Sequence, residues 1–430
     1  MSYETLLTEL NLGKGHLSID GPAGSGKSEL IKYFCATTPL KVLVTATTGI
    51  AAQHLQGRTI HSLLGFRPTV IENEDEEEAE EIEVVNPHVN LDEIKAAHVL
   101  IIDEASQLNC QLMDWIDGRL KEIRGNQKPF GGIRLVLVGD HYQLLPVSAG
   151  LIANKTYQAP FTYYQSMIFT DREFQKNLKK FTLTGNFRQG EDKKYKAILD
   201  RLRVEIVLDE DLKILNKRLL QAFESRPPYL CLTNFGAYDL NVWNVFLLGQ
   251  QVMVLPGLVK DGVAKVRDMK LAIGAMVYMT KNNPKQGYQN GTLGKIVGFN
   301  FGKDNTVESL QVLINGQLIT VKRVFVKAPK GVSTGYTLKG QGEGYMQFPV
   351  KLAYAITSHR AQGMSLESMT VVKDCWTGIM PQPHQLYTIL SRVRSLNGLF
   401  LQHYLAKEDF TVHPVVTRYM QDFEISSILV

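Results

Sequence analysis

The sequence predicts an α/β protein with two cores. Three observations lead there. The chain has 430 residues, more than a single hydrophobic core ordinarily serves. Six short apolar runs end in polar or glycine residues: KVLVTA (41–46), HVLIIDE (98–104), RLVLVGD (134–140), YLCLTN (229–234), AYAITS (353–358) and MTVVKD (369–374). Unbroken apolar runs of this length read as parallel strands covered on both faces. Helical patterns lie between them, as in SELIKYFCA, where Leu30, Ile31 and Phe34 share one side. Alternation of strand and helix predicts α/β layers. The strands group before about residue 150 and after about residue 225, hence two cores.

Two stretches interrupt this pattern. Residues 67–97 contain Pro68, Pro87 and the acidic run ENEDEEEAEEIE, and show little periodicity; they predict an exposed insertion. Residues 291–348 are rich in glycine and β-formers. There Asn315-Gly316 separates SLQVLI from QLITVKRV, a strong hairpin signal, so a small all-β insertion is expected in the second core. No repeat of fixed period is present.

Composition sets limits on the partners. Hydrophobic residues at 44% and charged residues at 21% describe a soluble globular chain. No apolar run approaches the roughly 18 residues of a membrane span. MSYETLLTELN lacks the basic and apolar regions of a signal peptide. The expectation is a cytoplasmic or nucleoid-associated protein (nuclear or mitochondrial in a eukaryote), not a secreted or membrane one. Cys35, Cys110, Cys231 and Cys375 match no zinc spacing and read as free thiols. The net charge is +4, but the run from Glu72 to Glu83 holds nine acids, and the rest of the chain sets 47 bases against 34 acids. A basic body suits a polyanion.

The chemistry begins at GPAGSGKS (21–28), which fits G-x-x-x-x-G-K-[ST] between the strand-like HLSID and a helix. Glycines there let backbone N–H groups close around phosphate oxygens, and the helix N-terminus adds partial positive charge. Gly21, Gly24 and Gly26 form the loop, Lys27 is placed to reach the β- and γ-phosphates of ATP, and Ser28 to ligate Mg²⁺. The acid pair at the end of VLIID supplies the rest: Asp103 for the metal, Glu104 to orient and deprotonate water. In GDHYQLLPV, Gln143 follows a strand that should end near the γ-phosphate, where an amide can sense nucleotide state. Asp140 reads as the residue that caps or orients this loop.

Phosphoryl transfer also needs cations that arrive from outside the loop. Arg188 in LTGNFRQG, and Arg392 and Arg394 in QLYTILSRVRSLNGLFL, are candidates. A helix with Tyr387, Leu390 and Val393 on its apolar stripe would keep Arg392 off that stripe. TATTGIAAQ with RTIHS, and AYAITSHRAQG, are polar strand edges that could follow a nucleic-acid backbone. The second edge offers Thr357, Ser358, His359, Arg360 and Gln362.

In this order, GPAGSGKS, TTGIAAQ with RTIHS, IIDEAS, GDHYQLLPV, LTGNFRQ, QFPVKLAYAITSHRAQG and YTILSRVRS resemble superfamily 1B DNA helicases of the petite integration frequency (PIF)/RecD branch. The resemblance covers residues 21 to about 401. It implies two RecA-like P-loop NTPase cores, at 1–66 with 98–175 and at 176–290 with 349–430. It also implies an accessory wedge at 67–97 and an SH3-like β insertion at 291–348. It implies Lys27, Ser28, Asp103, Glu104, Gln143, Arg188 and Arg392 as the ATPase set, with Gly363 lining the cleft. Thr47, His61, Thr357 and His359 are the candidates for DNA contact. The implied cofactors are ATP and Mg²⁺. The implied partners are single-stranded and forked duplex DNA, acted on by a monomer that moves 5′ to 3′. One feature departs from the family's pattern: its members usually carry a glutamine upstream of the phosphate loop that reads adenine, and here the first glutamine is Gln53, which leaves adenine selectivity open. Two other readings stay open, a translocase that displaces proteins with weak unwinding and a nucleotide-binding recruitment module that does not cycle.

Overall fold

The computed structural model describes residues 3–69, 72–73, 76–77, 81–84, 89–146, 162–185, 187–220, 228–259, 262–264, 266, 268–288, 290–328, 337–338, 342–373, 380–421 and 427–428. Glu74, Asp75, Glu78 and Glu80 of the acidic run, Pro87, Val147 and Cys375 lie outside the described residues. The chain divides into two compact units, one of 1–70, 77–224 and 358–430, the other of 71–76 and 225–357.

The first unit is built on a seven-stranded sheet. Its strands are β1 (His16–Asp20), β2 (Val42–Ala46), β3 (Arg58–Thr59), β4 (Val99–Asp103), β5 (Arg134–Gly139) and β6 (Leu178–Leu183), with Ser427–Ile428 as the seventh. The order is 427–428, β6, β1, β5, β4, β2, β3, and the pairings are parallel. Side chains alternate along each strand, so successive residues serve opposite faces. Val99 and Ile101 join Leu17, Ile19, Val136 and Val138 under α1 (Tyr3–Leu12) and α2 (Lys27–Thr37). Leu100 and Ile102 join Leu43, Leu135 and Leu137 on the other face, with Leu112, Met113, Ile116 and Leu120 of α3 (Cys110–Arg124). Both faces are covered, which is why these runs contain no polar alternation. α2 buries Leu30, Ile31 and Phe34, as its spacing predicts.

Two boundaries differ from the sequence expectation. β6 was expected at the start of the second core, yet it pairs along its length with β1, from His16↔Leu178 to Asp20↔Thr182. The helix Leu91–Ala96, expected inside the insertion, buries Ile94 in the core of the first unit. Phe66–Thr69 and Glu81–Val84 pair antiparallel within that insertion. The first unit also holds α4 (Lys193–Arg203), α5 (Ser358–Ala361), α6 (Gln385–Leu390) and α7 (Pro414–Gln421), and a parallel pair, β7 (Met369–Val372) and β8 (Leu399–Leu401).

In the second unit, Tyr229–Cys231 and Ala355–Thr357 pair in parallel. Asn241, on the helix Asn234–Leu247, holds this pair by bonds with the backbone of Tyr354 and Ala355. An antiparallel sheet runs in the order 317–322, 307–314, 293–301, 276–279, 350–352. Asn315 (φ 48°) and Gly316 (φ 80°) make the expected turn. The sheet takes in Met276–Met279 and Val350–Leu352, so it exceeds the 291–348 read from composition. Among the described residues no helix is long and apolar enough to cross a membrane.

The start of β5, the central strand of the first sheet, is tied to α1 and the turn after it by one side chain. The Arg134 guanidinium donates to the carbonyls of Glu9 (2.7 Å), Leu10 (2.7 Å) and Gly15 (2.6 Å). Leu10 lies in the last turn of α1, where carbonyls lack intrahelical donors; Glu9 O also accepts the Gly13 N–H, and Gly15 lies beyond the helix. Arg134→Ala is expected to lower stability by about 2–4 kcal/mol, read as a fall in urea midpoint at unchanged slope.

Candidate active site

β1 delivers the phosphate loop. Gly24 (φ 81°) and Gly26 (φ 87°) take left-handed conformations open to glycine, and Gly26 caps α2. A Cβ on Gly26 would also meet the Phe187 ring at 3.1 Å. Lys27 Nζ donates to the carbonyls of Gly21 (2.7 Å) and Pro22 (2.9 Å) and lies 3.4 Å from Ser25 Oγ. Burial lowers the Lys27 pKa, and the carboxylates of Asp140, Glu104, Asp103 and Asp20 work against that.

β4 ends in the acid pair. Asp103 is buried, and its Oδ1 accepts the Glu104 N–H at 2.9 Å. Burial and the Glu104 carboxylate push the Asp103 carboxyl up to about 7. Glu104 itself adopts φ 53°, ψ 39°, a left-handed conformation that costs a non-glycine residue about 1 kcal/mol and is held at functional sites by surrounding structure. Its Oε2 accepts from Gln362 Nε2 at 3.0 Å. A Cβ on Gly363 (φ 80°) would stand 3.7 Å from its Oε1, so Gly363 does line this site.

The loop after β5 carries Gln143, which is buried. Its Nε2 donates to Asp140 Oδ2 (3.1 Å) and its Oε1 accepts from Arg392 (3.0 Å). Asp140 orients the loop, as expected, by accepting the Tyr142 N–H. It does more, because its oxygens also take Tyr387 Oη (2.8 Å) and Arg203 Nε (3.0 Å). Arg203, on α4, reaches Asp20 Oδ2 at 2.6 Å as well. Burial alone would raise the Asp20 pKa, but Arg203 and the bonds from His141 pull it well below the carboxylate range. For Arg203, burial is outweighed by Asp140 and Asp20, which hold the guanidinium charged.

Arg392 differs from expectation. The helix stops at Leu390, and Arg392 lies in the following turn at 1% exposure. It does not lie off an apolar stripe at the surface; its Nε donates to Thr388 O and one terminal nitrogen to Ser391 Oγ and Gln143. Arg188 donates to Ser391 O at 3.0 Å. Burial and the nearby Arg392 lower Arg188 to about 9, with Glu104 opposing. Both arginines thus act on the same carboxylate.

The expected groove residues are placed as follows. Thr47 turns inward: its Oγ1 donates to Glu104 O at 3.1 Å and its N–H to Asp103 O. His61 packs edge-on against Phe66. His359 is half-buried on α5 in the first unit, and Thr357 ends the parallel pair of the second. Two residues read as part of the polar edge are instead internal. Ser358 accepts from Gln385, and Gln362 is 1% exposed and bonds Glu104 and Gln107. Arg203 and the partners of Tyr387 escaped the sequence reading altogether. Arg203 carries no motif, and only the fold brings it to Asp20.

The residues fit a divalent cation. A hydroxyl (Ser28) and a buried carboxylate (Asp103) are the hard oxygens that Mg²⁺ takes alongside phosphates and water. An acid held near 7 by burial and by a second acid is what a cation would relieve. Among the described residues no cluster of three or more His, Cys, Asp or Glu could hold a metal without such help.

Two arginines and a phosphate-loop lysine converge on one acid pair, with an amide between Arg392 and Asp140. A store for nucleotide needs only the loop, whereas cations from separate elements serve turnover. Fold and site together define a P-loop ATPase. The family model described as PIF1-like helicase matches residues 4–204. A relative from Psychrobacter, ATP-dependent DNA helicase Pif1, is 29% identical over 93% of the chain. The chain spans 67% of that relative's length and 60% of the zebrafish and frog relatives it matches. Two solved structures share the fold. One, Pif1 from Bacteroides with ADP-AlF3 and ssDNA, has TM-score 0.73 and 23% identity over 97% of this chain and 96% of that one. The other, of two coordinating Pif1 helicases at forked dsDNA, has TM-score 0.74 and 23% identity over 97% and 95%. That fold has two RecA-like domains. The chain is thus similar to PIF1-like helicases over most of its length.

Beside the Gln143 loop, His384 has a fixed tautomer. Its Nδ1–H donates to Tyr142 O (3.0 Å), and its Nε2 accepts the His413 N–H (3.0 Å). Burial lowers its pKa to about 4. The unfolded chain therefore binds a proton that the folded chain refuses between pH 6.5 and 4, so this stability is present above 6.5 and lost as pH falls toward 4. His384→Gln is expected to flatten the dependence of the urea midpoint over that window, by about 1–3 kcal/mol across it.

Proposed function

We propose that the protein is an ATP-dependent DNA helicase that moves 5′ to 3′ on single-stranded DNA and opens duplex ahead of it. One observation carries the reading most: Arg392 contacts Gln143 at 3.0 Å, and Gln143 in turn contacts Asp140. An amide held between a cation and a carboxylate changes partners when a γ-phosphate competes for the same groups.

Lys27 holds the β- and γ-phosphates. Ser28 and Asp103 would hold Mg²⁺, which when bound neutralises phosphate charge. Glu104 orients the attacking water and takes its proton. Arg188 and Arg392 stabilise the charge that develops on the transferred group. When the bond to the γ-phosphate breaks, Gln143 and both arginines lose a shared partner and the site relaxes. His61, Thr357 and His359 follow the DNA backbone, so the grip on the strand alternates with the nucleotide cycle; Thr47, expected beside them, has its hydroxyl and N–H taken by Glu104 O and Asp103 O and is not among them. The working form is a monomer, to be tested by sedimentation on a forked duplex.

Lys27→Ala is expected to cut ATPase activity by about a thousandfold or more. His359→Ala should lower the rate at limiting single-stranded DNA more than the rate without DNA; equal losses would remove His359 from the groove. Unwinding of 5′-tailed against 3′-tailed duplex tests direction, with the 5′-tailed substrate opened faster. Translocation without strand separation would favour the protein-displacing reading. An ATPase rate indifferent to DNA would leave only the recruitment module.

A further inference from the structure

His141 follows Asp140 and is buried. Its N–H donates to Asp20 Oδ1 at 3.0 Å, and its Nδ1 lies 2.9 Å from the same oxygen. Against burial, Arg203 and the bonds from His141 keep Asp20 ionised. That oxygen can only accept, so Nδ1 carries the proton of the neutral ring and Nε2 is an acceptor. Nε2 takes the Tyr163 hydroxyl at 2.5 Å. With its proton given to His141, the Tyr163 oxygen is left to accept, and Tyr419 Oη stands 3.3 Å away. One carboxylate thus sets the direction of a buried relay, from Tyr419 to Tyr163 to His141 to Asp20.

Tyr419 stands on α7, and its ring is held in place. Tyr164 stacks on it, with centroids 4.2 Å apart and planes 9° from parallel, and Lys180 Nζ lies over it at 4.4 Å. Lys180 is on β6, opposite Ser18 of β1 in the sheet register. α7 itself is seated by Val416, which is fully buried. The start of the same helix reaches the site by a separate route. His413, the residue before α7, donates its N–H to His384 Nε2, and His384 Nδ1 donates to Tyr142 O. The helix therefore bears on His141 from one end and on Tyr142 from the other. These two successive residues lead directly into Gln143.

We infer that Tyr419 is a positioning residue for hydrolysis: through Tyr163 and His141, α7 braces the root of the Gln143 loop against the root of the phosphate loop. This rests on the ATPase site of the reading above. His141 joins the two roots because it neighbours Asp140 in sequence and bonds Asp20, the residue before Gly21. Lys27 and the loop glycines take hold of phosphate without help from the relay. What the relay sets is where Gln143 stands when a γ-phosphate arrives, and a displaced group loses rate steeply. Its effect therefore lies in kcat and not in the KM for ATP. Arg203 links the same two roots through Asp140 and the other oxygen of Asp20. Loss of the Tyr419 hydroxyl thus loosens the loop without releasing it.

The test measures kcat and KM for ATP at saturating oligothymidine, together with amide hydrogen exchange over residues 137–146. The proteins are wild type, Tyr419→Phe, Tyr163→Phe, Tyr164→Phe, Gln143→Ala, and Tyr419→Phe combined with Gln143→Ala. Phenylalanine keeps each ring and its packing and removes one oxygen; thermal melts check the fold. Tyr164 is the control, since its ring stacks in the cluster but its hydroxyl makes no bond in the relay. The expected result is a kcat about fivefold lower in Tyr419→Phe, lower still in Tyr163→Phe, and a KM within about threefold of wild type. Exchange over the loop quickens in both, and Tyr164→Phe stays within about twofold in kcat. In the Gln143→Ala background the Tyr419 change adds no further loss, because both act through one amide. A kcat within about twofold of wild type in folded Tyr419→Phe overturns the inference. So does an equal loss in Tyr164→Phe, a loss that multiplies with that of Gln143→Ala, or unchanged exchange over the loop. A wild type that turns over no ATP sinks the ATPase reading instead, and loop exchange in Tyr419→Phe still decides the brace, so the two failures are distinct.

Discussion

One guanidinium sets the geometry of this site. Arg203 bridges Asp20 and Asp140, two carboxylates with no exposed surface. Asp20 is the residue before the phosphate loop, and Asp140 is the residue before the Gln143 loop. Joining them through a planar, always charged fork fixes the roots of both loops at one separation. Removing the arginine would leave two uncompensated buried anions, which is far more costly than removing the whole cluster. The side chain also lies over the Tyr142 ring at 4.5 Å, so its own orientation is set by packing.

Around that bridge the charges come in opposition. Asp20, Asp140, Asp103 and Glu104 face Lys27, Arg188, Arg203 and Arg392. Burial alone would neutralise several of these groups, as the depressed Lys27 and Arg188 and the raised Asp103 show. A polyanionic ligand with a divalent cation alters each balance at once. In a low-dielectric site such changes are felt over the whole network. The same residues that hold nucleotide therefore report its state, and they do so through hydrogen bonds with two possible partners, not through gradual deformation.

Tyr387 shows how the network reaches beyond the phosphate loop. Its hydroxyl donates to Asp140, and burial with the neighbouring carboxylate keeps it protonated. It stands on α6, close in sequence to Thr388, which accepts the Leu144 N–H, and to Ser391, which receives Arg188. α6 is buried along its length for this reason: both its apolar and its polar side chains have partners inside the protein. A helical stripe argument assumes one face in water, and it failed for Arg392 because neither face is.

The sequence by itself determined the local elements and the residues that chemistry requires. Apolar runs became parallel strands because both faces are covered; Asn315-Gly316 became a turn because its φ values suit those residues; GPAGSGKS became a phosphate loop because glycines permit it. These are short-range facts, readable within ten residues. Tertiary structure alone decided which strand joined which sheet, as with β6 beside β1, and which polar side chains turned inward, as with Thr47, Ser358 and Gln362. It alone brought Arg203 to Asp20 across 183 positions of sequence. Hydrogen bonds and ion pairs depend on distance in space, and no spacing along the chain encodes that distance until the core has packed.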